Sequence, residues 1–154
     1  LLVNPITGEE YSASRGHGAV LNSRRVRTSE VKVPAKAALA TNLLDQARQG
    51  DDPMIWGEMA AVLARETAMF RTSGCVTLDI ARVSAGLLDA AVIFRPQAAD
   101  FDLGVTLAME SGALTGDFSG NPAVGAAKQL VVANPKLFRE LLKTLHPFRG
   151  RLPR

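Results

Sequence analysis

The sequence predicts an α/β fold in which helices and sheets form separate layers. Hydrophobic residues make up 47% and charged residues 21% of the 154 residues, which is typical of a soluble globular protein. From residue 37 onward, short apolar runs of strand length alternate with segments in which apolar residues recur at helical spacing. Alternating strands and helices pack as layers around a shared core, and a chain of this size can bury one.

The first 33 residues favour a meander of short strands. Asn, Pro, Gly and Ser interrupt the apolar runs at close intervals, as expected of tight turns. The predicted strands cover residues 1–3, 10–14 and 19–21. A turn at Asn22 and Ser23 follows, and a basic strand then ends near Val33.

Four further strands are predicted after Pro34. They cover residues 37–40, 87–94, 114–118 and 130–133. The run at 87–94 is almost continuously apolar, which is typical of a strand that is buried on both faces.

Four helices are predicted between these strands. They cover residues 53–70, 76–85 and 100–111, and the last begins after Asn134 and Pro135. Asp51 and Asp52 before Pro53 have the composition of a helix start. The last helix has one apolar face formed by Leu137, Leu141, Leu142 and Leu145.

The composition argues against several classes of protein. No apolar run approaches the roughly 20 residues of a membrane span. The chain does not open on a charged segment followed by an apolar one, so no signal peptide is expected. Cys75 is the only cysteine, so an internal disulfide is excluded and a reducing, cytoplasmic location is expected. With His17 and His146, it forms no zinc-site spacing. Because the chain opens on a predicted strand without Met, we expect it to be part of a longer protein.

The net charge of +3 is most simply explained by a solvated basic surface, and anionic substrates or partners are a weaker inference from it. Basic residues concentrate between positions 24 and 36 and at the end of the chain. Few aromatic residues are present and none is interleaved with the basic run, so a nucleic-acid surface is not expected.

Several segments together resemble the inositol monophosphatase family. The similarity lies in their order and spacing, because each motif alone is weak. The matching segments are Asn4 with Pro5, 14–22, 71–79 (RTSGCVTLD), 81–89 (ARVSAGLLD), 100–104, 110–113 with Asp117, and 132–135. The resemblance implies a layered αβαβα sugar-phosphatase fold, of which this chain is the C-terminal part. Residues 1–33 would be trailing strands of the N-terminal sheet layer, and residues 34–154 the C-terminal α/β domain.

The resemblance also implies a magnesium site of which one ligand is present. Phosphomonoester hydrolysis needs an activated water and charge neutralisation, which Mg²⁺ ions on carboxylates can supply. The family uses an upstream Glu, an Asp-Pro-x-Asp-Gly-Thr segment and a downstream Asp, and only the last is found here, at Asp100. A helix cap is the alternative role for Asp100, and Asp102 is expected to be solvated. We therefore expect no catalytic residue here and an inactive chain on its own.

Gly74, Cys75 and Val76 match the segment that lines the substrate site in the family. Gly74 at a loop-to-helix junction would let an anionic or hydroxylated group approach free N–H groups, although it could be a plain turn glycine. No motif supplies a base for a catalytic thiol, so Cys75 is interpreted as a packing residue.

Two departures from the family pattern concern the choice of substrate. Ile93 stands where the family has a Glu that contacts inositol hydroxyls, and Ala99 replaces a Trp. Losing a polar contact to a hydroxyl should weaken or redirect substrate choice. Arg95 could meet a second phosphate or another anionic group, or it could be a solvated loop residue.

The leading functional prediction is a Mg²⁺-dependent phosphomonoesterase, a homodimer that acts on inositol monophosphate or a related small phosphate. A second hypothesis is a non-catalytic family member that binds proteins of the transcription machinery. Bisphosphate nucleotidase and fructose-bisphosphatase-like activities remain open within the enzymes, and so does a fragment without a function of its own. No membrane association is expected.

Overall fold

The computed structural model describes residues 1–49, 53–122, 125 and 127–152 and confirms the α/β fold class. The strands are β1 (Leu2–Asn4), β2 (Glu9–Ser14), β3 (Gly18–Leu21), β4 (Arg24–Val26), β5 (Ala38–Thr41), β6 (Met69–Arg71), β7 (Ala90–Phe94), β8 (Leu114–Gly116) and β9 (Gln129–Ala133). The α-helices are α1 (Leu43–Gln49), α2 (Pro53–Glu66), α3 (Val76–Ser84), α4 (Thr106–Glu110) and α5 (Pro135–Leu145). A π-helical segment, Asp100–Val105, leads into α4.

The first sheet is an antiparallel meander in the order β1-β2-β3-β4. Asn22 and Ser23 join β3 to β4, and both have positive φ angles, 46° and 65°. This is the backbone of the two-residue hairpin turns that match strand twist. One face of the sheet contributes Tyr11 and Ala19 to an apolar cluster with Ala81 of α3 and Leu107 of α4.

The second sheet has the order β6-β5-β7-β9-β8 and is mixed. β5 runs parallel to β6 and β7, whereas β9 is antiparallel to β7 and β8. All five residues of β7 are buried, which confirms the prediction of a strand covered on both faces. The layers are thus the first sheet, the helices α3 and α4, the second sheet, and the outer helices α1, α2 and α5.

The predicted helix at 53–70 ends too late. α2 ends at Glu66, and Phe70 lies in β6 instead. The Thr67 hydroxyl donates to the Leu63 carbonyl at 2.6 Å, while the Ala68 N–H donates to the Ala37 carbonyl next to β5. The chain therefore leaves the helix to join the sheet edge. The proposed helix-start residues Asp51 and Asp52 lie outside the described residues.

Other boundaries also differ from the prediction. α1 was not predicted. The strand at 87–94 begins only at Ala90, because Gly86 has a φ of +72° and starts a turn. The helix at 100–111 divides into the π-helical segment and α4. The cap of α5 is confirmed, since the Asn134 side chain accepts hydrogen bonds from the N–H groups of Lys136 and Leu137.

Candidate functional site

A cleft of about 270 Å³ lies beyond the C-terminal ends of β5 and β7, beside the N-terminus of α3. Ligands in α/β proteins commonly bind outside the carboxyl ends of the strands. The lining residues are Thr41, Asn42, Asp45, Gln46, Gly74, Cys75, Val76, Asp79, Arg95, Gln97 and Asp100. The structure therefore brings together the four residues that the sequence nominated, Gly74, Cys75, Val76 and Asp100.

Asp100 is held rigidly at the wall of the cleft and is 3% exposed. The Thr77 hydroxyl donates to its Oδ1 at 2.6 Å, and the Gln97 N–H donates to its Oδ2 at 2.7 Å. The second bond runs back three residues to the start of the helical segment, as in a capping box. The carboxylate therefore has a capping contact, and its position in the cleft leaves it suitable for a metal ion as well. Asp102 is exposed, as predicted.

The segment Gly74–Val76 forms the entry to α3. Gly74 has a φ of +83°, a backbone conformation that residues with a Cβ rarely adopt. No side chain caps the N-terminus of α3; the Ser73 hydroxyl instead accepts the Cys75 N–H at 3.0 Å. The N-terminus thus presents partial positive charge to the cleft. Cys75 is exposed, so its interpretation as a packing residue is wrong.

Asp79 is a cleft residue whose part the sequence did not reveal. It is 2% exposed, and the Ser73 hydroxyl donates to its Oδ2 at 2.7 Å. Its Oδ1 has no hydrogen-bond partner among the described residues, and the same is true of Oε1 of Gln46, another lining residue. Burial raises the pKa of the Asp79 carboxyl above its ordinary value. The only signal in the sequence was that Asp79 closes the 71–79 motif.

The two positions that depart from the family pattern lie in different surroundings. Ile93 is fully buried in the apolar cluster between the second sheet and α3, and it is absent from the cleft lining. Ala99 is exposed. Arg95, immediately after β7, does line the cleft and has a φ of +47°.

Asp100 fits a hard cation such as Mg²⁺, but only as a single ligand. Mg²⁺ takes oxygen ligands, and a buried, oriented carboxylate is a suitable one. Within the described residues no group of three or more His, Cys, Asp or Glu could hold a metal ion. The remaining ligands of such a site would have to come from other residues.

The layering and the cleft define a layered α/β protein with a candidate ligand site at the carboxyl ends of its strands. The family model described as "Inositol monophosphatase family" matches residues 1–148, and the chain belongs to this family. None of the helices in the described ranges is long and apolar enough to span a membrane.

The similar proteins include inositol monophosphatases of known structure and proteins named Nus factor SuhB. "Nus factor SuhB" of Pseudomonas aeruginosa is 36% identical over 147 residues, which are 96% of this chain and 54% of that protein. An inositol monophosphatase of Anabaena superposes with a TM-score of 0.84 at 25% identity, over 94% of this chain and 57% of the other. An IMPase of Thermotoga maritima gives a TM-score of 0.82 at 26% identity, over 97% and 56%. The chain spans about half the length of the curated relatives that it matches.

Proposed function

We propose that the protein to which this chain belongs is a Mg²⁺-dependent phosphomonoesterase that acts on inositol monophosphate or a related small phosphate. The observation that carries the proposal is the single cleft that joins the buried Asp100 carboxylate to the uncapped N-terminus of α3. Membership of the inositol monophosphatase family supports it. In this proposal residues 1–33 belong to the N-terminal sheet layer of the whole protein, and residues 34–154 form its C-terminal α/β domain.

Each cleft residue has a proposed part in the reaction. Asp100 would hold Mg²⁺ together with ligands from outside this chain, and the ion would neutralise phosphoryl charge and activate water. Thr77 and the Gln97 N–H keep the Asp100 carboxylate in one orientation. Gly74, Cys75 and Val76 would bind the substrate at the start of α3, where the helix dipole favours an anionic or hydroxylated group.

The test is phosphate release from inositol 1-phosphate by the purified full-length protein, with and without Mg²⁺. We expect Mg²⁺-dependent release, and a loss of at least about a hundredfold in kcat/KM for Asp100→Asn, since an amide is a weak ligand for a hard cation. Asp102→Asn is the matched control, because Asp102 is exposed two residues away. Equal activity of Asp100→Asn and the wild type would contradict the proposal that Asp100 binds the metal ion.

A second candidate is a non-catalytic, transcription-associated protein that binds other proteins. The relatives named "Nus factor SuhB" favour it. Pull-down of transcription proteins by the wild type and by Asp100→Asn, compared with their phosphatase activities, distinguishes the binding role from the enzyme. Partner capture without any Mg²⁺-dependent phosphate release would support the binding role over the enzyme.

The cellular location and the oligomeric state of the protein are part of the same proposal. We propose a cytoplasmic location, in line with the single, unpaired cysteine. We also propose a homodimer, because members of the family generally form one. Sedimentation of the full-length protein would measure the oligomeric state directly.

A further inference from the structure

Arg95 brings the only positively charged side chain to the described lining of the cleft. The other charged lining residues are the aspartates Asp45, Asp79 and Asp100. Arg95 is exposed, and none of the ion pairs in the described part of the chain involves it. Its guanidinium is therefore available to a ligand, and a guanidinium binds phosphate and carboxylate groups in a fork of two hydrogen bonds.

The backbone of Arg95 is strained in a way that its neighbours do not explain. Among the described residues, Asn22, Ser23 and Arg95 are the non-glycine residues with positive φ angles. Asn22 and Ser23 form the β3–β4 hairpin turn, where such angles are required. Arg95 instead follows a buried strand, and its N–H donates to the Lys128 carbonyl at 2.8 Å. Strain of this kind concentrates at functional sites, and glycine would avoid it at this position.

The cleft thus has two separate elements that attract anions. One is the N-terminus of α3, which no side chain caps. The other is Arg95, which follows β7 and also lines the cleft. The strand that leads to Arg95 offers no acceptor for a substrate hydroxyl, since Ile93 is fully buried among apolar residues. The positive charge that Arg95 adds to the lining favours an anionic group at this end of β7.

We infer that Arg95 binds a second anionic group of the substrate. The preferred substrate class is then a small phosphate that carries, besides the reacting phosphoryl group, another phosphate. This inference rests on the proposed phosphatase function and specifies its substrate. Arg95 is a specificity-determining residue in this scheme and takes no part in proton transfer or metal binding.

The first test is binding without turnover. Isothermal titration of the full-length protein in EDTA compares fructose bisphosphate and an adenosine bisphosphate with inositol 1-phosphate. We expect Arg95→Gln to weaken binding of at least one bisphosphate by about tenfold or more. The affinity for inositol 1-phosphate should stay within about twofold of the wild-type value, because this ligand has no second anionic group for Arg95 to bind. Arg95→Lys should restore part of the difference. The exposed Arg139→Gln on α5 is the matched control.

Arg95→Gly separates binding from folding. Glycine tolerates the φ of +47°, so this variant should unfold at the wild-type temperature or slightly above and still lose the preference for bisphosphates. A wild-type protein that binds both bisphosphates no better than inositol 1-phosphate would overturn the inference, as would equal losses for all three ligands in Arg95→Gln.

Kinetics of Mg²⁺-dependent phosphate release then distinguish this inference from the function on which it rests. A rise in KM for a bisphosphate in Arg95→Gln, with kcat unchanged, supports the inference. If the protein hydrolyses inositol 1-phosphate and Arg95→Gln changes the KM of no bisphosphate, the role inferred for Arg95 is refuted. The proposed phosphatase function then still stands. Absence of turnover for every substrate refutes the phosphatase, and the titration still decides the role of Arg95.

Discussion

The ion pair between Glu9 and Arg82 ties the first sheet to the helical layer beneath it, and its removal should destabilise the protein measurably. Arg82 Nη2 on α3 lies 2.8 Å from Glu9 Oε2, and Nε lies 3.3 Å from Oε1. The Tyr11 hydroxyl also donates to Oε1 at 2.7 Å, and the Thr7 hydroxyl to Oε2 at 2.6 Å. The two charged side chains are only 18% and 15% exposed, so solvent screens them weakly.

The size of the effect follows from the pKa of Glu9. The hydrogen bond from Arg82, aided by those from Thr7 and Tyr11, lowers this pKa from 4.5 to about 2 against the opposing effect of burial. At about 1.4 kcal/mol per pH unit, the shift corresponds to about 3 kcal/mol, and residual solvent exposure reduces the expected contribution to about 2 kcal/mol. A lowered carboxyl pKa stabilises the folded state above the unfolded pKa. This contribution is therefore complete above pH 4.5 and disappears as the pH falls towards 2.

Urea unfolding of wild type and Glu9→Gln between pH 7 and pH 2 tests this directly. We expect Glu9→Gln to lower the free energy of unfolding by about 2 kcal/mol at pH 7, partly because it leaves Arg82 without its partner. The difference should narrow as the pH falls below 4.5. The double variant Glu9→Gln with Arg82→Gln should cost less than the sum of the single changes. A difference that stayed constant down to pH 2 would refute the assignment to the ionised carboxylate.

Two further predictions concern packing and capping, each measured as the free energy of unfolding in urea. Gly116→Ala should destabilise by about 2 kcal/mol, because the added Cβ would lie 2.8 Å from the Asn121 carbonyl oxygen and 2.9 Å from the Phe138 ring. Gly57→Ala, in the exposed middle of α2 with no atom within 4 Å, should instead stabilise by about 0.5–1 kcal/mol; destabilisation there would contradict the helix. Asn134→Ala should cost about 2 kcal/mol, since its Oδ1 caps α5 and its Nδ2 donates to two backbone carbonyls after β4. Lys136→Ala, at an exposed position two residues further on, should stay within about 0.5 kcal/mol, and equal losses in both variants would argue against the cap.

Elements that depend on local chemistry were predictable from the sequence. β7 was recognised because its apolar run has no polar interruption, and the start of α5 because Asn followed by Pro is a strong cap. The hairpin turn at Asn22 and Ser23 was recognised for the same kind of reason.

Elements that depend on distant partners were not predictable. Phe70 continues the helical spacing of α2, yet the edge of β5 takes this part of the chain as β6. α1 is short and follows Asn42, whose side chain bonds both the N–H and the carbonyl of Phe94. Neither partner is near in sequence, and a local pattern carries no information about either contact.

The candidate site divides in the same way. The order and spacing of motifs were enough to select Asp100 and Gly74–Val76, and the structure places them in one cleft. The roles of these residues remain predictions. The buried, half-partnered Asp79 and the positive φ of Arg95 could not be foreseen, because no local sequence pattern encodes the burial of one side chain or a left-handed backbone at a non-glycine residue.

α3 connects these observations, because successive residues of one helix serve both the cleft and the sheet packing. Its first turn presents Val76 to the cleft and orients Asp100 through the Thr77 hydroxyl. One turn later Asp79 lines the same cleft, and Arg82 then reaches Glu9 in the first sheet. A helix of nine residues is rigid over this distance. The first sheet therefore also positions α3, through the ion pair between Glu9 and Arg82. The N-terminus of α3 and the Thr77 hydroxyl in turn shape the candidate site.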